Sequence, residues 1–152
     1  MTYDLHPEAR ALIESRPTAH LVTMRPNGKP HVSFIWLDVT DDGRLQFGTP
    51  NWRVKGRNVA HDPNVIFSIQ DTKYHPDNGL LQHLLIDGVA SIDDHPEHGN
   101  EFMEQLWQKY TGKTGFPMNA IETHLLITVD ITRVSGVGPW HTGNRTPYGT
   151  PA

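Results

Sequence analysis

The run Thr49-Pro50-Asn51-Trp52-Arg53-Val54-Lys55-Gly56-Arg57-Asn58 concentrates more chemistry than any other stretch of the chain. Three cations fall within five positions of a protein that is otherwise acidic, with 13 Lys and Arg against 17 Asp and Glu and a net charge of −4. In an extended stretch Arg53, Lys55 and Arg57 share one side. In a helix Arg53 and Arg57 share a face while Lys55 points elsewhere. Thr49 or Asn51 can cap a following helix, whose free N–H groups attract an anion. The pattern suits a phosphate. It equally suits a solvated basic face beside Asp41 and Asp42, and the residues alone leave both readings open.

Other motifs exclude more than they offer. Gly112-Lys113-Thr114 ends like a phosphate-cradling loop, but Trp107 stands where that loop needs its first glycine. Gly136-Val137-Gly138 begins like a dinucleotide fingerprint, and Pro139 and His141 break it. There is no Ser-centred G-x-S-x-G elbow, so nucleophilic hydrolysis has no anchor. The absence of Cys excludes disulfides, thiolate nucleophiles, Cys-bound zinc and iron–sulfur clusters. His95 and His98 stand at a spacing that metal ligands use. No partner residue is evident to complete such a site, so no metal is expected and the pair reads as a solvated helix start. Net negative charge argues against a nucleic-acid partner. No run approaches the roughly 18 apolar residues of a membrane span, and M-T-Y-D-L-H-P-E has no leader character. The expectation is a cytoplasmic protein without a membrane partner.

The elements that must position the basic run are marked by strong punctuation. A helix is predicted over Asp4 to Ser15, with Asp4 as cap and Pro7 in its first turn. A strand follows over Thr18 to Arg25, then an Asn27-Gly28 hairpin into a strand from Pro30 to Val39. In that strand Val32, Phe34 and Trp36 face one way and Ile35, Leu37 and Val39 the other, so one side lines a core and the other meets a partner or ligand. Arg44 to Thr49 is a strand with Leu45 and Phe47 inward. A short helix within Pro50 to His61 ends at Asp62-Pro63. Strands are predicted over Asn64 to Gln70 and over Gln82 to Ile92, the second curved by a bulge or bend at Gly88. Asp71 to Gly79 reads as a loop. His95 to Tyr110 is a helix with an Asp94–Glu97 capping pair and an apolar stripe of Phe102, Met103, Leu106, Trp107 and Tyr110. Glu122 to Val134 is the last strand, and from Gly136 onward no regular structure is expected. Six strands with peripheral helices describe a mainly β protein, a small antiparallel barrel.

The order of these parts resembles the pyridoxamine 5'-phosphate oxidase-like superfamily of flavin and deazaflavin oxidoreductases. The shared features are the N-G hairpin, Pro30-His31-Val32-Ser33-Phe34-Ile35-Trp36, the basic run with Asn58, and His61-Asp62-Pro63-Asn64-Val65. Gln108-Lys109-Tyr110-Thr111-Gly112-Lys113 with Phe116-Pro117 is similar to the K-Y-T-G…P element of the branch that uses coenzyme F420. The resemblance implies a six-stranded antiparallel split β-barrel, FMN-binding-protein-like, over residues 1–138, and a Gly/Pro-rich tail over 139–152. It implies a homodimer with cofactor clefts across the subunit interface. Arg53, Lys55, Arg57 and Asn58 would hold the cofactor's phosphate, while Val32, Ser33, Phe34, Phe47, Gly48 and Thr49 would line its ring. The activity implied is hydride transfer between reduced F420 and an unsaturated small-molecule acceptor. No side chain is needed as a nucleophile, and His31, Tyr74 or bulk water could give a proton. FMN is the alternative cofactor, and a carrier of flavin, deazaflavin or haem is the non-catalytic alternative. The family's carboxy-terminal R-x-H pattern for pyridoxamine phosphate has no match here.

Overall fold

The Asn27-Gly28 hairpin forms as its residue types require. Gly28 takes a φ of 82°, and the Asn27 side chain accepts the Lys29 N–H at 3.0 Å. The turn joins β1 (Thr18–Met24) to β2 (Pro30–Phe34) in antiparallel register. The structure is a computed structural model and describes residues 3–117 and 122–141.

The remaining strands are β3 (Asp38–Val39), β4 (Leu45–Pro50), β5 (Asn64–Tyr74), β6 (Leu81–Asp93) and β7 (His124–Val137). All seven form one antiparallel sheet in the order β2-β1-β5-β6-β7-β4-β3. The strand predicted over Pro30 to Val39 is broken after Phe34, which adds one strand to the six expected. Its two pieces occupy opposite edges of the sheet. Only Ile35, Trp36 and Leu37 separate them, and so few residues span little more than about 14 Å. The sheet therefore rolls until its edges meet at that linker, the geometry of a split barrel.

Alternation places the core as the sequence implies. Ala19 and Leu21 of β1, Leu45 and Phe47 of β4, Phe67 and Ile69 of β5, and Ile127 and Val129 of β7 are all fully buried. Phe47 and Phe67 meet edge to face with centroids 6.1 Å apart. Opposite Gly88 the β6–β7 ladder shifts register. The extra residue is Thr132 on the partner strand, whose hydroxyl donates to the Asp87 carbonyl at 3.1 Å. A Cβ on Gly88 would lie 2.3 Å from the Val129 side chain, so the bulge also needs this glycine for close approach.

Three helices pack on the barrel: α1 (Pro7–Glu14), α2 (Val54–His61) and α3 (Pro96–Thr111). Their starts differ from the predicted caps. His6, not Asp4, caps α1 by accepting the Glu8 N–H, because Pro7 takes the first helical position. In α3 Pro96 likewise fixes the first turn, His95 becomes the N-cap, and Asp94 falls outside the helix. Gly112 ends α3 in the left-handed region at φ 72°. Strand β5 runs to Tyr74, beyond the predicted end at Gln70. The irregular stretch expected from Gly136 is also shorter than expected. Strand β7 runs to Val137, and Trp140 is buried with its indole N–H donating to the His83 carbonyl at 3.1 Å. Residues 142–152 of the expected tail lie outside the described residues.

Past Gly112 the chain is tied back by Glu104, whose carboxylate accepts the backbone N–H groups of Gly115 and Phe116 at 2.7 and 2.6 Å. These two bonds hold the Glu104 carboxyl below its usual value of 4.5. The stabilisation is complete above the unfolded value and disappears as pH falls through the lower folded one. Urea midpoints of the wild type are thus expected to fall below about pH 4.5, and Glu104→Gln is expected to flatten that limb. Parallel acid limbs in the two proteins would show that the clamp does not contribute.

Candidate functional site

Helix α2 begins at Val54 with Arg53 as its N-cap, and no side chain caps it. Neither Thr49 nor Asn51 takes the capping role their types suggest. The Thr49 side chain is buried, and its methyl group sits 3.3 Å from where a Gly56 Cβ would be. Glycine at 56 lets α2 seat closely on β4 and β7. The consequence is a helix N-terminus with free N–H groups, flanked by three cations.

Those cations converge although helical spacing separates Lys55 from the other two. A cavity of about 350 Å³ lies between β2 and α2, lined by His31, Ser33, Arg53, Lys55 and Arg57 among others. Lys55 also lines a second cavity of about 280 Å³, walled by Phe34, Trp36, Gly48, Met103 and Leu106. His31 and Arg57 line a third, of about 600 Å³, which reaches Arg25 and Asn27 on the hairpin and Asn58 on α2. Shared walls make these one groove along β2. It is apolar at the α3 end, basic in the middle, and flanked by two guanidinium groups at the hairpin end.

The electrostatics of the groove are cationic. Among the described residues, Arg25, Arg53, Lys55 and Arg57 have no carboxylate partner in an ion pair. Arg53 rests over the Trp52 ring at 5.0 Å. Burial, and then the nearby Arg53 charge, push the Lys55 amine below its usual value. His31 Nδ1 and Ser33 Oγ are buried without a hydrogen-bond partner. Buried polar atoms are seldom left unpaired, and these two lie on residues lining the groove's basic middle. The donor set fits a phosphorylated ligand.

The predicted site residues divide. Val32, Ser33, Phe34, Gly48, Arg53, Lys55, Arg57 and Asn58 all line the groove. Asn58 is buried and donates to the Thr23 hydroxyl at 3.0 Å, so its amide is engaged in the fold. The Phe47 and Thr49 side chains are fully buried and line none of these cavities. Of the two proton-donor candidates, His31 lines the groove and Tyr74, 69% exposed, does not. Sequence reasoning missed Met103 and Leu106. Their signal was the width of the α3 stripe, which exceeds what one core contact needs. It also missed what Lys109-Tyr110 does. The Lys109 ammonium donates to the carbonyls of Ile13 and Leu37, each at 2.8 Å, and the Tyr110 ring stacks on Trp36 at 4.7 Å. This element pins the β2–β3 linker and holds Trp36 at the apolar end.

A rolled antiparallel sheet with this groove along β2 has the architecture of the barrels that hold flavin-type cofactors. Residues 5–138 match the family model described as pyridoxamine 5'-phosphate oxidase, and the chain belongs to that family. A solved structure named F420 reductase is similar at 29% identity, covering 83% of this chain and 94% of that one, with a TM-score of 0.68. Protein Rv2991 of Mycobacterium tuberculosis shares 24% identity over 90% of this chain and 88% of its own, with a TM-score of 0.69. HupZ of Group A Streptococcus shares the fold at 15% identity, 90% and 97% coverage, and a TM-score of 0.65. No curated protein matches this chain in sequence. None of the helices in the described residues is long and apolar enough to cross a membrane.

Proposed function

We propose that this chain is a cytoplasmic F420-dependent oxidoreductase that passes a hydride from the reduced deazaflavin to an unsaturated small-molecule acceptor. The observation that carries the reading is the order of chemistry along the groove: apolar slot, basic middle, then a further cationic end at Arg25 and Arg57. FMN ends at its phosphate. F420 continues into an acidic oligoglutamate tail, which gives the hairpin end something to hold. The similarity to a structure named F420 reductase supports the same choice.

Bound F420 would supply the hydride. The chain's own residues bind and orient. Arg53, Lys55 and the free N–H groups of α2 hold the phosphate, and His31 and Ser33 give hydrogen bonds beside it. Phe34, Trp36, Met103 and Leu106 exclude water from the slot. No side chain is a nucleophile.

A fluorescence titration of the purified chain with F420 and, separately, FMN tests the reading. F420 is expected to bind at micromolar concentration or tighter, and FMN more weakly. Arg25→Ala is expected to weaken F420 by about tenfold, one charge-assisted contact, and to leave FMN unchanged. Tighter binding of FMN would move the chemistry to flavins, and failure of both would overturn the cofactor site.

The protein is further proposed to work as a homodimer. Val32 and Phe34 on β2 are 59% and 66% exposed, and Ile66 on β5 is 45% exposed. Val22 pairs with both Val32 and Ile66, so these residues form one continuous apolar face beside the groove. Sedimentation equilibrium is expected to return twice the 17.2 kDa chain mass; a single-chain mass at micromolar concentration would overturn the dimer.

A further inference from the structure

Away from the groove, the end of β6 and the start of α3 bring three metal-ligating side chains together. Asp93 closes β6, His95 is the N-cap of α3, and His98 lies in its first turn. Both imidazoles turn Nδ1 toward one carboxylate. His95 Nδ1 stands 2.8 Å from Asp93 Oδ1, and His98 Nδ1 stands 2.7 Å from Asp93 Oδ2. One ligand atom from each residue falls within 4.8 Å of the others, and the two rings lie 5.0 Å apart. The sequence pattern, Asp-x-His-x-x-His, shows the histidine spacing. It does not show that the strand end would deliver a carboxylate between them.

We propose that Asp93, His95 and His98 form a binding site for one divalent transition ion of the zinc, nickel or copper kind. Two imidazoles and one carboxylate are the nitrogen-and-oxygen donor set such ions prefer, whereas calcium and magnesium require oxygen donors throughout. Around an ion bonded at about 2.0–2.2 Å, tetrahedral donor atoms lie roughly 3.3 Å apart. The two imidazole–carboxylate separations therefore need to open by roughly half an ångström, and the two imidazole donors, which lie within 4.8 Å of each other, close to a similar spacing around the ion. The ion replaces the protons that now bridge the imidazoles and the carboxylate, and it keeps a position for water on the exposed side.

The frame that carries the ligands is stiff. Pro96 fixes the backbone immediately after His95, and the His98 N–H bonds back to the His95 carbonyl at 3.1 Å. The Asp93 carboxylate is held by the His95 backbone N–H at 3.0 Å. None of the three residues lines the cofactor groove, so the site stands or falls independently of the proposed activity.

The test is calorimetric titration of the chelator-treated, full-length chain with zinc chloride, repeated for His98→Ala, Asp93→Asn and the distant His75→Ala. One zinc per chain is expected, with affinity at least about tenfold lower in the first two variants and unchanged in the third. Far-UV circular dichroism checks that α3 persists. In the wild type, imidazole nitrogen resonances of His95 and His98 are expected to shift on zinc addition, a readout that needs no variant to fold. Absence of saturable binding, or equal affinity in His98→Ala, Asp93→Asn and wild type, would overturn the site and leave the cluster as a hydrogen-bonded helix start.

Discussion

Replacing Arg53 and Lys55 together by alanine is expected to abolish cofactor binding over the accessible concentration range while leaving the fold intact. Each charge-assisted phosphate contact contributes roughly 1.5–3 kcal/mol, about 10- to 100-fold in affinity, so the pair together accounts for about 10² to 10⁴. Stability should hold because neither side chain loses an ion pair with the described residues. The Lys55 amine, moreover, is held below its ordinary value by burial and by Arg53, so its charge is a cost to the free protein. A bound anion reverses that cost and raises the amine's pKa. Binding is therefore proton-linked: affinity is fullest below the lowered value and falls as pH rises through it. In Lys55→Ala this alkaline limb should vanish. Fluorescence titration against pH, with thermal melts of each variant, separates the two effects. Unchanged affinity in the double variant would remove the phosphate from the basic run.

The fold was legible because its signals are local. Asn27-Gly28 specifies a hairpin by φ alone, and alternation in Thr18–Met24 and in residues 64–70 assigns each residue to core or surface, whereas the non-alternating end of β5 past Gln70 was read as a loop. The break at Phe34 was not legible. Val32, Phe34 and Trp36 continue the strand pattern, and the chain leaves it only because Leu37 is captured by α3 from far along the sequence. The Lys109 ammonium takes the Leu37 carbonyl, and the Tyr110 hydroxyl takes the Leu37 N–H at 3.3 Å. The same distinction runs through the site. The basic run could be read because Arg53, Lys55 and Arg57 are neighbours in sequence. Met103, which covers Gly48 from another element, could not. Helical geometry separates Lys55 from Arg53 and Arg57, and only the depth of the groove beside β2 reunites them. Asp93 is a third case, a carboxylate whose value lies in where a strand ends relative to a helix that has yet to begin.

Gly99→Ala is expected to be the most damaging single methyl group in the helices. Its Cβ would lie 1.9 Å from the His124 carbonyl oxygen and 2.6 Å from the carbonyl carbon. The His124 carbonyl belongs to the first residue of β7, paired with Pro50 at the end of the β4–β7 ladder, and this backbone cannot step aside as a side chain can, so α3 must move away from β7. A cost of about 2–3 kcal/mol follows from overpacking of this kind, a fall in Tm of about 4–12 °C for a chain of this length. Gly112→Ala is the control. Nothing lies within 4 Å of its Cβ, and it pays only for its φ of 72°, about 1 kcal/mol. The two variants should also differ in binding. Met103 and Leu106 ride on α3 and wall the apolar end of the groove, so displacing the helix opens the slot to water. Cofactor affinity measured well below the Tm should therefore drop in Gly99→Ala and hold in Gly112→Ala. Equal affinities would mean that the α3 wall does not touch the ligand. A Gly99→Ala protein as stable as the wild type would mean that α3 and β7 have room that this packing denies them.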